Sequence, residues 1–405
     1  MELENFRGGI VMGEKLEESK KSNGLKDLAN KYKKIREKYD SLNALIEANN
    51  PWTNENISKL SKDFFEALKN EDKDFSWLKI DNDLYEEIKD KTKKAASIDY
   101  GIPSHVRGDI ENGTVFLCLV NPNIQYNGSK QKCIHSFYYE ARKIESDDKS
   151  LKVLDENGDI SITEQKIKNY IYDVSSTGGI LYKELDENGI ENPGYYTSEY
   201  FNVILQSIND FENSNNSENC DTNKQTKNEN EESNIKSLDP IEISQKIVDL
   251  EAFPFRSKLP SFAKKTTKDY KKRFANCLVK SKSKVSMLSS RIIIWKILEY
   301  INNPKDKVKP VFIIRRFNRA WRPSITNVLI EDFGIKDDKD IDNIIDELHK
   351  EYFYTLGCLD NDNFSKMDKS LYKEDKNIYS KKEKRKEFNK RITDALSLQK
   401  DNNGN

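Results

Sequence analysis

The sequence predicts an α/β protein: a doubly wound, mainly parallel four-stranded sheet flanked by helices, with an α-helical module at its N-terminus. Three observations lead there. Four short apolar runs are spread along the chain, the later ones alternate with helical patterns, and the residues before Ile102 carry helical spacing. A strand covered by helices on both faces is apolar at successive positions, and parallel strands need a crossover between them.

The elements are justified in chain order. Leu28, Tyr32, Ile35 and Tyr39, then Leu60, Phe64, Phe65 and Leu68, recur at three- and four-residue spacing. Asn50-Pro51 separates the two helices, and Thr53 is placed to cap the second. The first strand is expected at residues 115–120, ending at Asn121-Pro122-Asn123, with further strands at 247–253, 311–314 and 352–356. Helical patterns occupy 285–300, 340–349 and 381–398. Residues 213–236 are almost wholly polar, cannot bury enough apolar surface to offset ordering entropy, and are expected to be a disordered surface insertion. The domain organisation is a helical module at 1–98, an α/β domain at 99–375 and a charged helix and tail at 376–405.

Composition narrows the function classes. The five cysteines are scattered, without a C-x-x-C pair, and there are three histidines, so neither a disulfide framework nor a zinc site is expected. No metal or other cofactor is called for. The N-terminus lacks the apolar core of a signal peptide and no run approaches the length of a membrane span, so a cytoplasmic chain with no membrane partner is expected. The N-terminal helices are expected to offer a face for packing or for a protein partner.

Net charge is -1, from 68 basic against 69 acidic residues, so only local charge can identify a polyanionic partner. Residues 256–322 contain 20 Lys and Arg against Asp269, Glu299 and Asp306, a local +17. Such segregation attracts polyanions in a salt-dependent way. Phe255, Ser257, Phe262, Tyr270, Phe274 and Trp321 intersperse it with stacking planes and a phosphate donor. Nucleic acid, DNA first, is therefore the expected partner. Arg256, Lys258, Lys264, Lys265, Lys271, Lys272, Arg315, Arg316 and Arg319 are its candidate contacts. The competing reading is that these cations pair with acidic helices elsewhere in the fold.

Three strand-end segments, taken in order, resemble the uracil-DNA glycosylase superfamily, especially its divergent bacterial and phage members. The first runs from Gly108 through Gly113 into the strand and Asn121-Pro122-Asn123. The second is Asp249-Leu250-Glu251-Ala252-Phe253-Pro254-Phe255-Arg256-Ser257, and the third is Lys309-Pro310-Val311-Phe312-Ile313-Ile314-Arg315-Arg316-Phe317-Asn318-Arg319-Ala320-Trp321. The resemblance implies hydrolysis of the N-glycosidic bond of a flipped, modified or mismatched base. It implies that Asn121 positions the attacking water, and that Pro122, Asn123, Phe253, Phe255 and Ser257 line the base pocket. Asn361 and Asn363, beyond the last strand, would contact DNA. Two departures stand out: Asn123 replaces the Gly or other family-specific residue after the proline, and no histidine follows His349. A catalytically inactive, nucleic-acid-binding protein of glycosylase fold, acting in phage–host conflict or regulation, is the alternative.

Other candidates read as structure. Cys118 lies inside an apolar run and Trp295 sits at helical spacing among isoleucines, so both are expected in the core. Asp155-Glu156-Asn157-Gly158-Asp159 and Asp186-Glu187-Asn188-Gly189 lack the ligand spacing of a calcium loop and are read as hairpin turns.

Overall fold

The computed structural model describes residues 24–70, 72, 74–88, 96–98, 102–122, 163–191, 193–219, 239–256, 262, 266, 268, 273–354 and 381–396. In chain order the helices begin with α1 (Gly24–Lys38), α2 (Leu42–Asn49), α3 (Asn54–Asn70) and α4 (Asn82–Ile88). Then come β1 (Val106–Arg107), β2 (Val115–Leu119), α5 (Glu164–Ile171), β3 (Tyr172–Asp173), α6 (Ile180–Asn188) and α7 (Asn202–Asn219). The second half holds α8 (Pro240–Gln245), β4 (Ile247–Glu251), α9 (Phe274–Lys280), α10 (Lys284–Asn302) and β5 (Val311–Ile314). It closes with α11 (Arg322–Glu331), α12 (Asp338–Tyr352), β6 (Phe353–Tyr354) and α13 (Lys381–Leu396).

Local chemistry sets several helix starts. Ser41, Thr163, Ser283 and Asp337 each accept a hydrogen bond from a first-turn backbone N–H, which satisfies a donor the helix cannot pair internally. Thr53 does the same for Asn56 at 3.4 Å, as its position suggested.

The sheet has six strands in the order β3-β1-β4-β2-β5-β6. The four strands expected from the sequence are its parallel body, β4-β2-β5-β6, with Cys118 opposite both Leu250 and Ile314. Two strands were not expected. β1 pairs antiparallel to β4, and β3 parallel to β1, through two residues each. Val106-Arg107 and Tyr172-Asp173 are too short and too polar to give an apolar run, so only pairing with an existing edge makes them strands.

Alternation along each strand sends side chains to two cores. Phe116, Cys118, Val248, Leu250, Phe312 and Ile314 face one side and share a hydrophobic cluster with α1–α4 and α10–α12. Phe116 stacks on Phe312 at 4.8 Å between centroids, and Trp295 packs edge-on to Tyr32 under the Arg36 guanidinium. The N-terminal helices are thus continuous with the core of the sheet. On the other side Val115, Leu117, Leu119, Ile247, Val311 and Ile313 pack with α6, α7, α8 and α13.

Two further expectations change. α7 runs to Asn219, so residues 213–219 are helical, and 220–236 lie outside the described residues. The apolar first half of α7, with Val203, Ile204 and Ile208 buried, nucleates a helix that its polar second half extends at one backbone bond per residue. Asp186-Glu187-Asn188-Gly189 is the end of α6, not a hairpin: Gly189, at φ 66°, caps the helix through its N–H to Leu185 O. Residues 155–159 lie outside the described residues.

Candidate functional site at the strand ends

From β2 the chain reaches β4 on one side and β5 on the other. In an open parallel sheet such a reversal leaves a crevice beyond the carboxyl ends of the strands, where ligands bind. Three expected segments end there. Backbone pairing continues past the strands, from Ala252 N–H to Leu119 O and from Phe253 N–H to Val120 O. Asn121, half-buried, donates from Nδ2 to Pro122 O at 3.0 Å and to Phe255 O at 3.3 Å. One side chain therefore ties the loop after β2 to the loop after β4.

The remaining expected residues divide. Pro122 is buried at the mouth of β2. Phe253 and Phe255 are each 1% exposed, with rings against Phe274 and, for Phe253, Phe262. They support the loop from beneath and present no stacking plane at the surface, because the chain turns both rings into the core shared with α9. Arg256 donates from Nε to Ile102 O at 2.7 Å and lies over the Tyr170 ring. Arg316 adopts a left-handed conformation, φ 53°, at the start of a π-helical turn, Phe317–Trp321, that carries Arg319. Asn123, Ser257, Lys258, Lys264, Lys265, Lys271, Lys272, Asn361 and Asn363 lie outside the described residues.

Part of the basic segment is neutralised within the fold. Arg291 forms a two-pronged pair with Asp332 at 2.8 and 2.9 Å. Lys282 pairs with Glu331, Lys307 with Glu299, Lys309 with Glu351 and Arg322 with Asp342. Lys296, 8% exposed, donates to Glu111 O at 2.7 Å. For Lys282, Arg291, Lys309 and Arg322 the reading as partners of acids elsewhere in the fold holds, and the +17 overstates the free charge.

Two acids in β4, for which the sequence suggested no evident role, are the most unusual feature of the strands that lead to the Asn121–Phe255 junction. Asp249 and Glu251, on the same face of β4 as Ile247, are 1% and 2% exposed. Asp249 Oδ2 accepts from Ile180 N–H at the start of α6, but Oδ1 and both carboxyl oxygens of Glu251 are buried without a hydrogen-bond partner among the described residues. Leaving such a group unsatisfied costs about 1–3 kcal/mol. Burial pushes the Asp249 carboxyl up to about 7 against the opposing pull of the Ile180 N–H and Arg107. Burial, with Asp249 beside it, holds Glu251 well above the usual carboxylate range, and nearby Arg315 pulls the other way. Arg315, half-buried after β5, donates to Tyr200 Oη at 2.5 Å. Tyr196 stands near both acids, its phenol pushed up by burial and by them. Two acids at alternate positions in an otherwise apolar strand were the available signal: in a strand buried on both faces, a charge has to be explained.

Just before β1 and beside β4, Trp52 Nε1 donates to His105 Nδ1 at 2.8 Å. His105 is 1% exposed, and burial pushes its pKa down to about 3, which keeps it a neutral packing residue. The last histidine of the chain, His349, packs on Phe317 at 5.7 Å. A surface hollow lined by Ile57, Ser58, Glu164, Gln165 and Lys168 lies in the seam of α3 and α5 and contains none of the strand-end residues.

Among the described residues no cluster of three or more His, Cys, Asp or Glu could hold a metal, and no helix is long and apolar enough to cross a membrane. The fold and site together define an α/β protein whose mainly parallel sheet carries two buried acids, Asp249 and Glu251, in the strand that leads to the Asn121–Phe255 junction. No family model, curated protein or solved structure matches the chain.

Proposed function

We propose that this chain binds DNA across the carboxyl ends of its parallel strands and acts there as an N-glycosylase, hydrolysing the bond between deoxyribose and a flipped, modified or mismatched base. The observation that carries this reading is the joining of the two strand-end loops through Asn121 and Phe255 O, at the reversal of strand order. These are the loops whose sequences resemble the water-positioning and base-pocket segments of uracil-DNA glycosylases. Cleavage of a glycosidic bond passes through a cation-like sugar and requires an aligned water and polar groups near the departing base. Asn121 supplies the first, and Glu251, the last residue of β4, is in register with Leu119, two residues before Asn121.

A second reading, binding without hydrolysis, is favoured by one observation: the Asn121 carboxamide is engaged by two backbone carbonyls while Phe253 and Phe255 are turned into the core. Duplexes carrying uracil, hypoxanthine or phage-modified bases, treated with the protein and then with alkali, separate the two. Strand breaks at the modified base that disappear in Asn121→Ala support the enzyme. Salt-sensitive binding with no abasic product selects the binding protein. In the same series, Lys264, Lys265, Lys271 and Lys272 together replaced by Glu should weaken affinity and flatten its salt dependence, and an unchanged slope would mean that the basic stretch faces protein or solvent.

A further inference from the structure

Glu251 is the group at the strand ends for which neither the fold nor the glycosylase resemblance supplies a use. It closes β4 in register with Leu119, two residues before Asn121 on the neighbouring strand. Its backbone is fully engaged: the N–H donates to His105 O and the carbonyl accepts from Ser289 Oγ at 2.8 Å. Its carboxyl is not, since both oxygens are buried with no partner among the described residues. A carboxyl fixed by its main chain and left without hydrogen bonds is costly to the fold, and such groups persist where a ligand or a reaction completes them.

We propose that Glu251 is the proton donor to the departing base, an assignment that rests on the glycosylase reading above. As the C1′–N bond breaks, its electron pair leaves with the base, and the Glu251 carboxyl passes its proton to that base. Water aligned by Asn121 adds to C1′ and returns a proton to the Glu251 carboxylate, so the products are an abasic sugar and the neutral base. The surroundings suit both halves of the cycle. Burial and the neighbouring Asp249 keep the acid protonated before reaction. Arg315, held by Tyr200, is the cation placed to stabilise the carboxylate after it. Tyr196 on the same face and Cys118 from β2 also sense the Glu251 charge, and Asp249 is in turn offset by Arg107 and opposed by Glu184.

The test is leaving-group dependence. Glu251→Gln keeps the shape of the side chain but cannot donate an acidic proton. On a duplex whose base leaves poorly, its single-turnover rate should fall roughly 100- to 10,000-fold, and on a base already cationic through alkylation the loss should be much smaller. Wild-type rates should decline as pH rises through the Glu251 pKa, a limb missing from Glu251→Gln and retained at lower rate by Glu251→Asp, with folding of each variant checked by its thermal midpoint. Equal losses on both bases, or no loss on either, would overturn the proton-donor role while leaving the glycosylase reading intact. A wild type that binds the duplexes yet releases no base from any of them ends both.

Discussion

Asp249→Asn should stabilise the protein in proportion to pH. The substitution keeps the side chain's size and a carbonyl oxygen to accept from Ile180 N–H, but it removes the ionisable group. The wild-type carboxyl is raised from 3.8 to about 7 by burial. An acid raised in the fold favours folding while protonated, and that advantage is lost as pH climbs from the unfolded value through the folded one. A shift of about three units corresponds to about 4 kcal/mol as an upper limit, because each unit is worth about 1.36 kcal/mol and a relaxed or hydrated site would lower the sum. Urea unfolding of wild type and variant, run from about pH 4 to about pH 8, should therefore show curves that nearly coincide at the acid end and separate by a few kcal/mol at the alkaline end, the variant being more stable. A gap independent of pH, or a variant less stable at the alkaline end, would refute the argument that Asp249 is an uncompensated buried acid.

Two other substitutions probe the frame around the site. Trp52→Phe removes the indole N–H that satisfies His105 Nδ1 and should lower stability by about 1–3 kcal/mol, since the imidazole nitrogen is left buried and unpaired; urea midpoints read it. Gly108 sits at φ 104° with Ile247 O 2.9 Å from where a Cβ would be, at the junction of β1 and β4. Gly108→Ala should destabilise by more than about 1 kcal/mol, visible as a reduced thermal midpoint, because the left-handed backbone and the close carbonyl penalise the same methyl.

Continuous apolar runs made the parallel body of the sheet legible, because a short strand buried on both faces is apolar at successive positions, whereas the run Ile292-Ile293-Ile294-Trp295 sits inside the longer helical pattern of α10. VFII at β5 was delimited to the residue, while the run ending in Phe253 overshot β4 by two residues, which leave the ladder to turn into the core. Helical spacing likewise marked α1, α3, α10 and α12, and Thr53 the start of α3, since those rules act within a few residues of chain, whereas α2 went unread. The pairs Val106-Arg107 and Tyr172-Asp173 gave nothing to read, as their strand character comes from the edge they join.

For the site, the sequence by itself determined which segments arrive at the strand ends: Asn121, Phe253 to Arg256, and Arg315. Tertiary structure alone decided what each side chain does there. It turned Phe253 and Phe255 inward, assigned Arg291, Lys309 and Arg322 to acidic partners tens of residues along the chain, and left Glu251 buried and without a partner among the described residues. Local chemistry fixes an element and its cap, but charge pairing and desolvation depend on neighbours that only folding brings within reach.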